Sequence, residues 1–261
     1  MQIRTRIQMF EKRADFMEGL NVYISPVDPD WMGRLIPPEA EDLADLQIYL
    51  EMQRENPKVP ESYLKFACYA AEGDGGLLSD VLLGDFCLAR LPEVTENVCD
   101  DMPNDKLLIF WNEMGVLYFI DLKNGGKISD EGGFYFSSSF ESLLFQCAVK
   151  KFEERYFSAY VGFGYKRLLS FDQRKVLDIT IKEFIQRNQM KTVWFNDEYF
   201  LFAYNQEYSF WITQEECYEE KVAVGGIFYG NDMNKIQKEL LPQIGAVASY
   251  IKEGDQLKRV D

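Results

Sequence analysis

The side chains that could do chemistry sort quickly, because one class is missing: the 261 residues include no histidine. That removes Ser-His-Asp and Cys-His nucleophile pairs, and with them any His-ligated zinc or iron. The five cysteines (Cys68, Cys87, Cys99, Cys147 and Cys217) are scattered, and the nearest two, Cys87 and Cys99, stand twelve residues apart. Thiolate zinc sites need closely spaced pairs, so the cysteines read as reduced core thiols. No G-x-x-x-x-G-K-[ST] loop occurs, and Gly73-Asp74-Gly75-Gly76 carries a carboxylate that would repel a phosphate, which favours a turn. Gly162-Phe163-Gly164 and Gly225-Gly226 lack the strand-to-helix fingerprint of a dinucleotide loop. Carboxylates are abundant, 43 in all. A glycosidase needs two of them roughly 5–10 Å apart, but so many acids always supply some pair and spacing singles out none. No catalytic residue, no cofactor-binding residue and no metal ligand is assigned.

What the carboxylates do offer is a field. The formal net charge is −15, and residues 35–149 hold 21 acidic against 7 basic side chains, leaving only −1 elsewhere. Such a surface repels nucleic acid and anionic lipid and attracts basic partners. The acids that best fit a partner-binding role are Glu93, Glu96, Asp100, Asp101 and Asp105, between two apolar runs, with Asp74 and Asp80 from the glycine loop. One stretch is opposite in character: Lys150, Lys151, Arg155, Lys166, Arg167, Arg174 and Lys175 interleave with Tyr156, Phe157, Tyr160 and Tyr165. It could be a nucleic-acid stripe. Glu153-Glu154 and the neighbouring acidic field favour instead a connector whose basic face lies against the acidic domain.

The elements that must position these residues follow from pattern. The basic start, Met1–Arg6, is not followed by a continuous apolar stretch, so a secretory signal is not expected. No apolar run approaches the roughly 18–20 residues of a membrane span, and the scattered, reduced cysteines suit a cytoplasmic protein. Residues 1–34 read as a mixed lead-in. Pro37-Pro38-Glu39 opens an expected helix to Arg54, with Leu43, Leu46 and Leu50 on one face. A second runs from Pro60 to about Ala71, with Tyr63, Phe66, Ala67 and Ala70 at helical spacing. The period then changes. Val81–Leu91 and Leu107–Ile120 suit a half-buried sheet, the second as a hairpin turning at Asn112–Gly115 and placing Trp111 and Tyr118 in the core. Asn124-Gly125-Gly126 marks another turn, and Ser138-Ser139-Phe140-Glu141 has the spacing of a capping box opening a helix to about Phe152.

Beyond the connector at 151–175, residues 176–261 read as a smaller second α+β unit. It has a helix near Val176–Arg187 and strands near Thr192–Phe195, Tyr199–Tyr204, Tyr208–Thr213 and Val222–Tyr229. A last helix starts near Asp232, which Pro242 should kink or divide. The strings VWFNDEYFLFAY (193–204) and IFWNEMGVLYFI (109–120) look alike, as two copies of one ancestral hairpin or as two generic hairpins.

Several signatures stand in a fixed order: Val59-Pro60-Glu61-Ser62-Tyr63-Leu64-Lys65-Phe66, the glycine stop at 73–76, the strand pair Leu107–Asp121, Asn124-Gly125-Gly126, and Ser139-Phe140-Glu141-Ser142-Leu143-Leu144. This order, over roughly residues 37–150, resembles the SUKH superfamily, which includes bacterial immunity proteins of polymorphic toxin systems and the yeast Smi/Knr-type regulators. The loop reads Gly73-Asp74-Gly75-Gly76 where an Asn-Gly pair is usual, and Leu143-Leu144 replaces an aromatic-leucine end. The resemblance implies an α+β fold with a single mixed or antiparallel sheet and flanking helices. It also implies a toxin-neutralising protein without catalysis, with Pro60, Gly115, Gly125, Gly126 and Phe140 in structural roles. The expected partner is a basic protein, such as a nuclease toxin domain. The alternatives are an intracellular scaffold or regulator, and a carboxylate-based hydrolase.

Overall fold

The computed structural model of the protein describes residues 3–41, 44, 59–85, 105–165, 167–217, 221–253 and 256–260. The helix expected through Leu43, Leu46, Leu50 and Arg54, most of the strand expected at 81–91, and the loop 92–104 lie outside these residues. The chain is α+β and divides into two compact units, residues 13–151 and a second made of 1–12 with 152–261. The lead-in is therefore split: α1 (Ile3–Met9) belongs to the second unit and α2 (Phe16–Ile24) to the first.

The 13–151 unit begins with α2, whose N-terminus is capped by Asp15 accepting from Met17 N at 2.9 Å. Gly19 faces the ring of Phe145, and a side chain added there would meet that ring at 3.0 Å. A 3-10 turn (Trp31–Arg34) leads into β1 (Leu35–Ile36), and α3 (Glu61–Ala70) into β2 (Gly73–Asp74), which pairs antiparallel with β1. Tyr63, Phe66, Ala67 and Ala70 form the buried face of α3, as their spacing requires. One turn of helix, α4 (Ser79–Leu82), precedes β3 (Gly84–Asp85), so Val81 and Leu82 are helical where a strand was expected. A five-stranded antiparallel meander follows in the order β3, β4 (Lys106–Asn112), β5 (Leu117–Asp121), β6 (Lys127–Asp130), β7 (Tyr135–Ser137).

The hairpin turns where expected, at Asn112–Gly115, but a bulge at Ile109 shifts the register between Leu108 and Phe110. The bulge lets four successive residues, Leu107–Phe110, all be buried. Trp111 and Tyr118 are half-buried at the end of this core, and Tyr118 meets Phe136 edge-on at 5.3 Å. The meander ends in α5 (Phe140–Phe152), buried along nearly its whole length. Its cap hydrogen bond is made by Ser139, whose Oγ accepts from Ser142 N. Phe140 packs edge-on against Tyr63 at 5.3 Å and Phe66 at 5.8 Å, tying α5 to α3. Burial pushes the Cys147 thiol up to about 12, as suits a core thiol, whereas Cys68 is exposed on α3 and corrects that expectation.

The second unit is one antiparallel sheet ordered β10 (Lys191–Thr192), β11 (Phe200–Tyr204), β12 (Tyr208–Cys217), β13 (Lys221–Gly230), β8 (Ala159–Gly164), β14 (Val247–Glu253), β15 (Gln256–Arg259), with β9 (Leu169–Ser170) also on β13. Residues 151–175, read as a connector, thus supply the interior strand β8, and the last two strands lie beyond the expected helix from Asp232, where no element was assigned. α6 (Phe171–Arg187) starts earlier than its apolar period suggests, because Ser170 and Gln173 form a capping box. Near Pro242 the chain forms α7 (Met233–Lys235), a π turn (Ile236–Leu240) and α8 (Leu241–Gln243), so proline marks the division it was expected to cause. The two similar strings differ in structure: 109–120 is strand, turn and strand, whereas 193–198 precedes β11 as an irregular segment pinned by Asn196 to Phe202.

Both faces of this sheet are covered, because successive residues of a strand point to opposite sides. On one, Leu177, Ile181 and Phe184 of α6 pack with Val161, Phe163, Phe210 and Phe228. On the other, Phe10 packs against Phe195, Phe202 and Tyr204. There the buried Arg6 guanidinium pairs with Glu153 and lies against the Tyr156, Phe157 and Tyr204 rings, while Ser209 donates to the same carboxylate. Removing one member of a buried pair leaves the other charge unsatisfied. Arg6→Met should therefore lower the unfolding free energy by about 3–5 kcal/mol in urea titration, and adding Glu153→Leu should recover most of the loss. A cost below about 1 kcal/mol for Arg6→Met would contradict the assignment.

Candidate partner-binding surface

Of the acids singled out in the sequence, Glu93, Glu96, Asp100 and Asp101 lie outside the described residues. The other three sit in different surroundings. Asp74 is buried, 3% exposed, at the end of β2. Its carboxylate accepts from Gly76 N at 2.8 Å, Leu78 N at 2.5 Å, and Ser79 N and Oγ at 2.8 Å each. Gly75 and Gly76 take positive φ (62° and 81°), which turns those amides inward. Asp74 thus organises the glycine loop and corrects the expectation that it faces a partner: a carboxylate so fully engaged has no lone pairs to offer outward.

Asp80 is the opposite case. Its side chain is 65% exposed and ion-paired with Lys151 Nζ at 2.7 Å, and Lys151 also donates to Gly76 O at 2.7 Å. The loop therefore presents Asp80 on a lysine-anchored rim. Asp105 precedes β4, paired with Lys123 Nζ at 2.6 Å, and that hydrogen bond holds its carboxyl below the usual carboxylate range. Sequence reasoning missed its neighbour Asp121, at the end of β5. Burial pushes the Asp121 carboxyl up, but hydrogen bonds donated by the Tyr135 hydroxyl and by Asn124 outweigh it and leave the pKa lowered. The signal was present in Asp121 followed by Asn124-Gly125-Gly126, a turn whose first residue often needs a side-chain acceptor.

Among the other exposed acids of the described residues, Glu61, Glu113 and Glu131 form no ion pair. Glu113 sits in the β4–β5 turn, built by Asn112 Oδ1, which accepts from Met114 N at 3.0 Å and Val116 N at 2.8 Å. The unit as a whole carries 25 acidic against 11 basic side chains, the other unit 18 against 17.

The second unit holds two adjoining open clefts. One of about 520 Å³ is lined by Asn234, Gln237, Glu253, Gln256 and Lys258 among others. The other, about 360 Å³, includes Glu207, Tyr208 and Lys235. Asp232 borders both, but its carboxylate accepts from Lys235 N to cap α7, and Lys235 pairs with Glu207 at 2.5 Å. Among the described residues no group of three or more Cys, Asp or Glu side chains is arranged to hold a metal ion. Nor is any helix among them long and apolar enough to cross a membrane.

No protein-family model, curated protein or solved structure matches the chain.

Asp74→Ala removes four hydrogen bonds and leaves backbone donors buried. It should cost on the order of 3 kcal/mol in urea unfolding, and a change below about 1 kcal/mol would refute the organising role. Asp121 supplies a pH test. A lowered folded pKa stabilises above about pH 4, the unfolded carboxylate value, and the benefit is lost as pH falls through the folded pKa. The stability gap between wild type and Asp121→Asn should stay constant from pH 7 to 5 and shrink below about pH 4. A gap that persists to pH 2.5 would contradict it.

Proposed function

We propose that this chain is a non-catalytic binding protein of the SUKH type that neutralises a basic protein, such as a nuclease toxin domain, by covering its working surface. One observation carries the reading: the charge asymmetry coincides with a folded unit. Residues 13–151 have a net charge of −14 and the rest of the chain −1. An acidity serving solubility alone would have no reason to respect that boundary, whereas a docking face would. The ordered signatures that resemble the superfamily all fall inside the same unit. Electrostatic complementarity accelerates encounter and rejects wrong partners, while a few buried anchors supply most of the affinity.

Pull-down with the full chain from its native lysate should yield one dominant, small, basic protein whose activity the purified chain suppresses at equimolar concentration. Recovery of several unrelated proteins would favour a scaffold. Turnover of a substrate by the chain alone would overturn the non-catalytic reading.

A further inference from the structure

We propose that Leu83 and Met114, at one end of the five-stranded meander, form the apolar anchor by which the 13–151 unit docks its basic partner. The inference rests on the reading above and adds its point of contact. Both side chains project outward, Leu83 59% and Met114 77% exposed. The backbone brings them together: Leu83 O accepts from Glu113 N at 2.9 Å, and the next pair in register is Gly84 with Asn112.

Among the described residues the backbone, not these side chains, holds both turns. Leu83 adopts the left-handed conformation (φ 59°, ψ 57°) as the C-terminal cap of α4. That region is ordinarily left to Gly or Asn, because a larger side chain is strained there. The adjacent glycine cannot take the position, because Gly84 is fixed by the close approach of β4: a Cβ there would lie 2.3 Å from Trp111 O. Among the described residues nothing requires leucine at 83, since backbone groups make both hydrogen bonds that hold it. Met114 is equally dispensable within its turn. Asn112 supplies the side-chain acceptor and Gly115 the positive φ (82°), leaving residue 114 free in type. Exposed apolar side chains on a strained, well-fixed backbone are what an interface anchor requires, since little ordering entropy remains to be lost on binding.

The surroundings select the occupant. Residues 79–85 and 112–116 contain Asp80, Asp85 and Glu113 and no lysine or arginine. Lys151, from α5, is already engaged with Asp80 and Gly76. An exposed apolar pair on acidic segments of a unit at −14 fits a protein surface with an apolar recess among basic side chains. A second copy of this chain, itself at −15, is opposed by like charge.

The test uses the full chain in two stages. Photo-cross-linkable p-benzoylphenylalanine replaces Leu83, Met114 or, as an exposed control in the other unit, Ile179, and the native lysate is irradiated. Any positively charged protein recovered is purified and titrated against wild type, Leu83→Asn/Met114→Gln, and the control Val176→Asn/Ile179→Asn. We expect one basic protein to cross-link at 83 and 114 but not at 179. Its Kd should rise at least tenfold with the tip variant and stay unchanged with the control. Leu83→Asn should keep or raise the urea midpoint, which separates lost binding from lost folding. Cross-links to a basic protein at 179 alone, or unchanged affinity for the tip variant, would overturn the anchor and leave the basic-partner reading standing. Cross-links only to non-basic proteins, to a second copy, or to nothing would overturn both.

Discussion

Carboxylate crowding is the constraint on which the 13–151 unit turns. With 25 acids against 11 bases, mutual repulsion opposes compaction unless each carboxylate is either satisfied or left in water. The structure uses three solutions. Asp74 and Asp121 are buried and saturated with hydrogen-bond donors. Asp15, Asp28, Asp80 and Asp105 meet Lys65, Arg34, Lys151 and Lys123 near the surface. Such exposed pairs contribute little each, about 0–1 kcal/mol, and their service is to lower local repulsion and fix loops. Glu61, Glu113 and Glu131 stay solvated. A unit with this much uncompensated charge carries a strongly negative potential.

The second unit solves a different problem. It is nearly neutral, and its eight-stranded sheet needs cover on both faces because aromatic and aliphatic residues occupy both. α6 covers one. On the other, α1 delivers a guanidinium as well as Phe10, and Glu153 and Ser209 complete a polar knot inside an aromatic surround. Small residues permit the close approaches: Gly226 accommodates Trp211 O, and Gly162 lies under the Tyr250 ring. These are packing solutions, and they assign Gly162 and Gly226 to structure.

Legibility in the sequence divided along physical lines. Strands β11, β12 and β13 were readable because aromatic and β-branched residues run through them, and α3 because its apolar residues repeat at helical spacing. The Asn112–Gly115 and Asn124–Gly126 turns were readable because glycine is nearly required there. The start of α6 was missed although Ser170 and Gln173 have capping-box spacing, since Phe171 and Val176 are exposed and break the apolar period. β14 and β15 were missed because nothing beyond the helix expected from Asp232 was assigned, although Val247, Tyr250 and Ile251 are residue types that suit a strand. The site was less legible. Whether Asp74 faces solvent or saturates a loop depends on where four donors converge, and no local pattern specifies that. A leucine in left-handed conformation at 83 contradicts propensity outright, and only the fold reveals it.

Recognition of something cationic by an electronegative surface is the central proposal. It is tested most directly by the salt dependence of the Kd between the full chain and its captured partner from 50 to 500 mM NaCl. Electrostatic recognition predicts a steep loss of affinity, at least tenfold over that range, carried mainly by the association rate. A Kd that stays flat across the same range would contradict it.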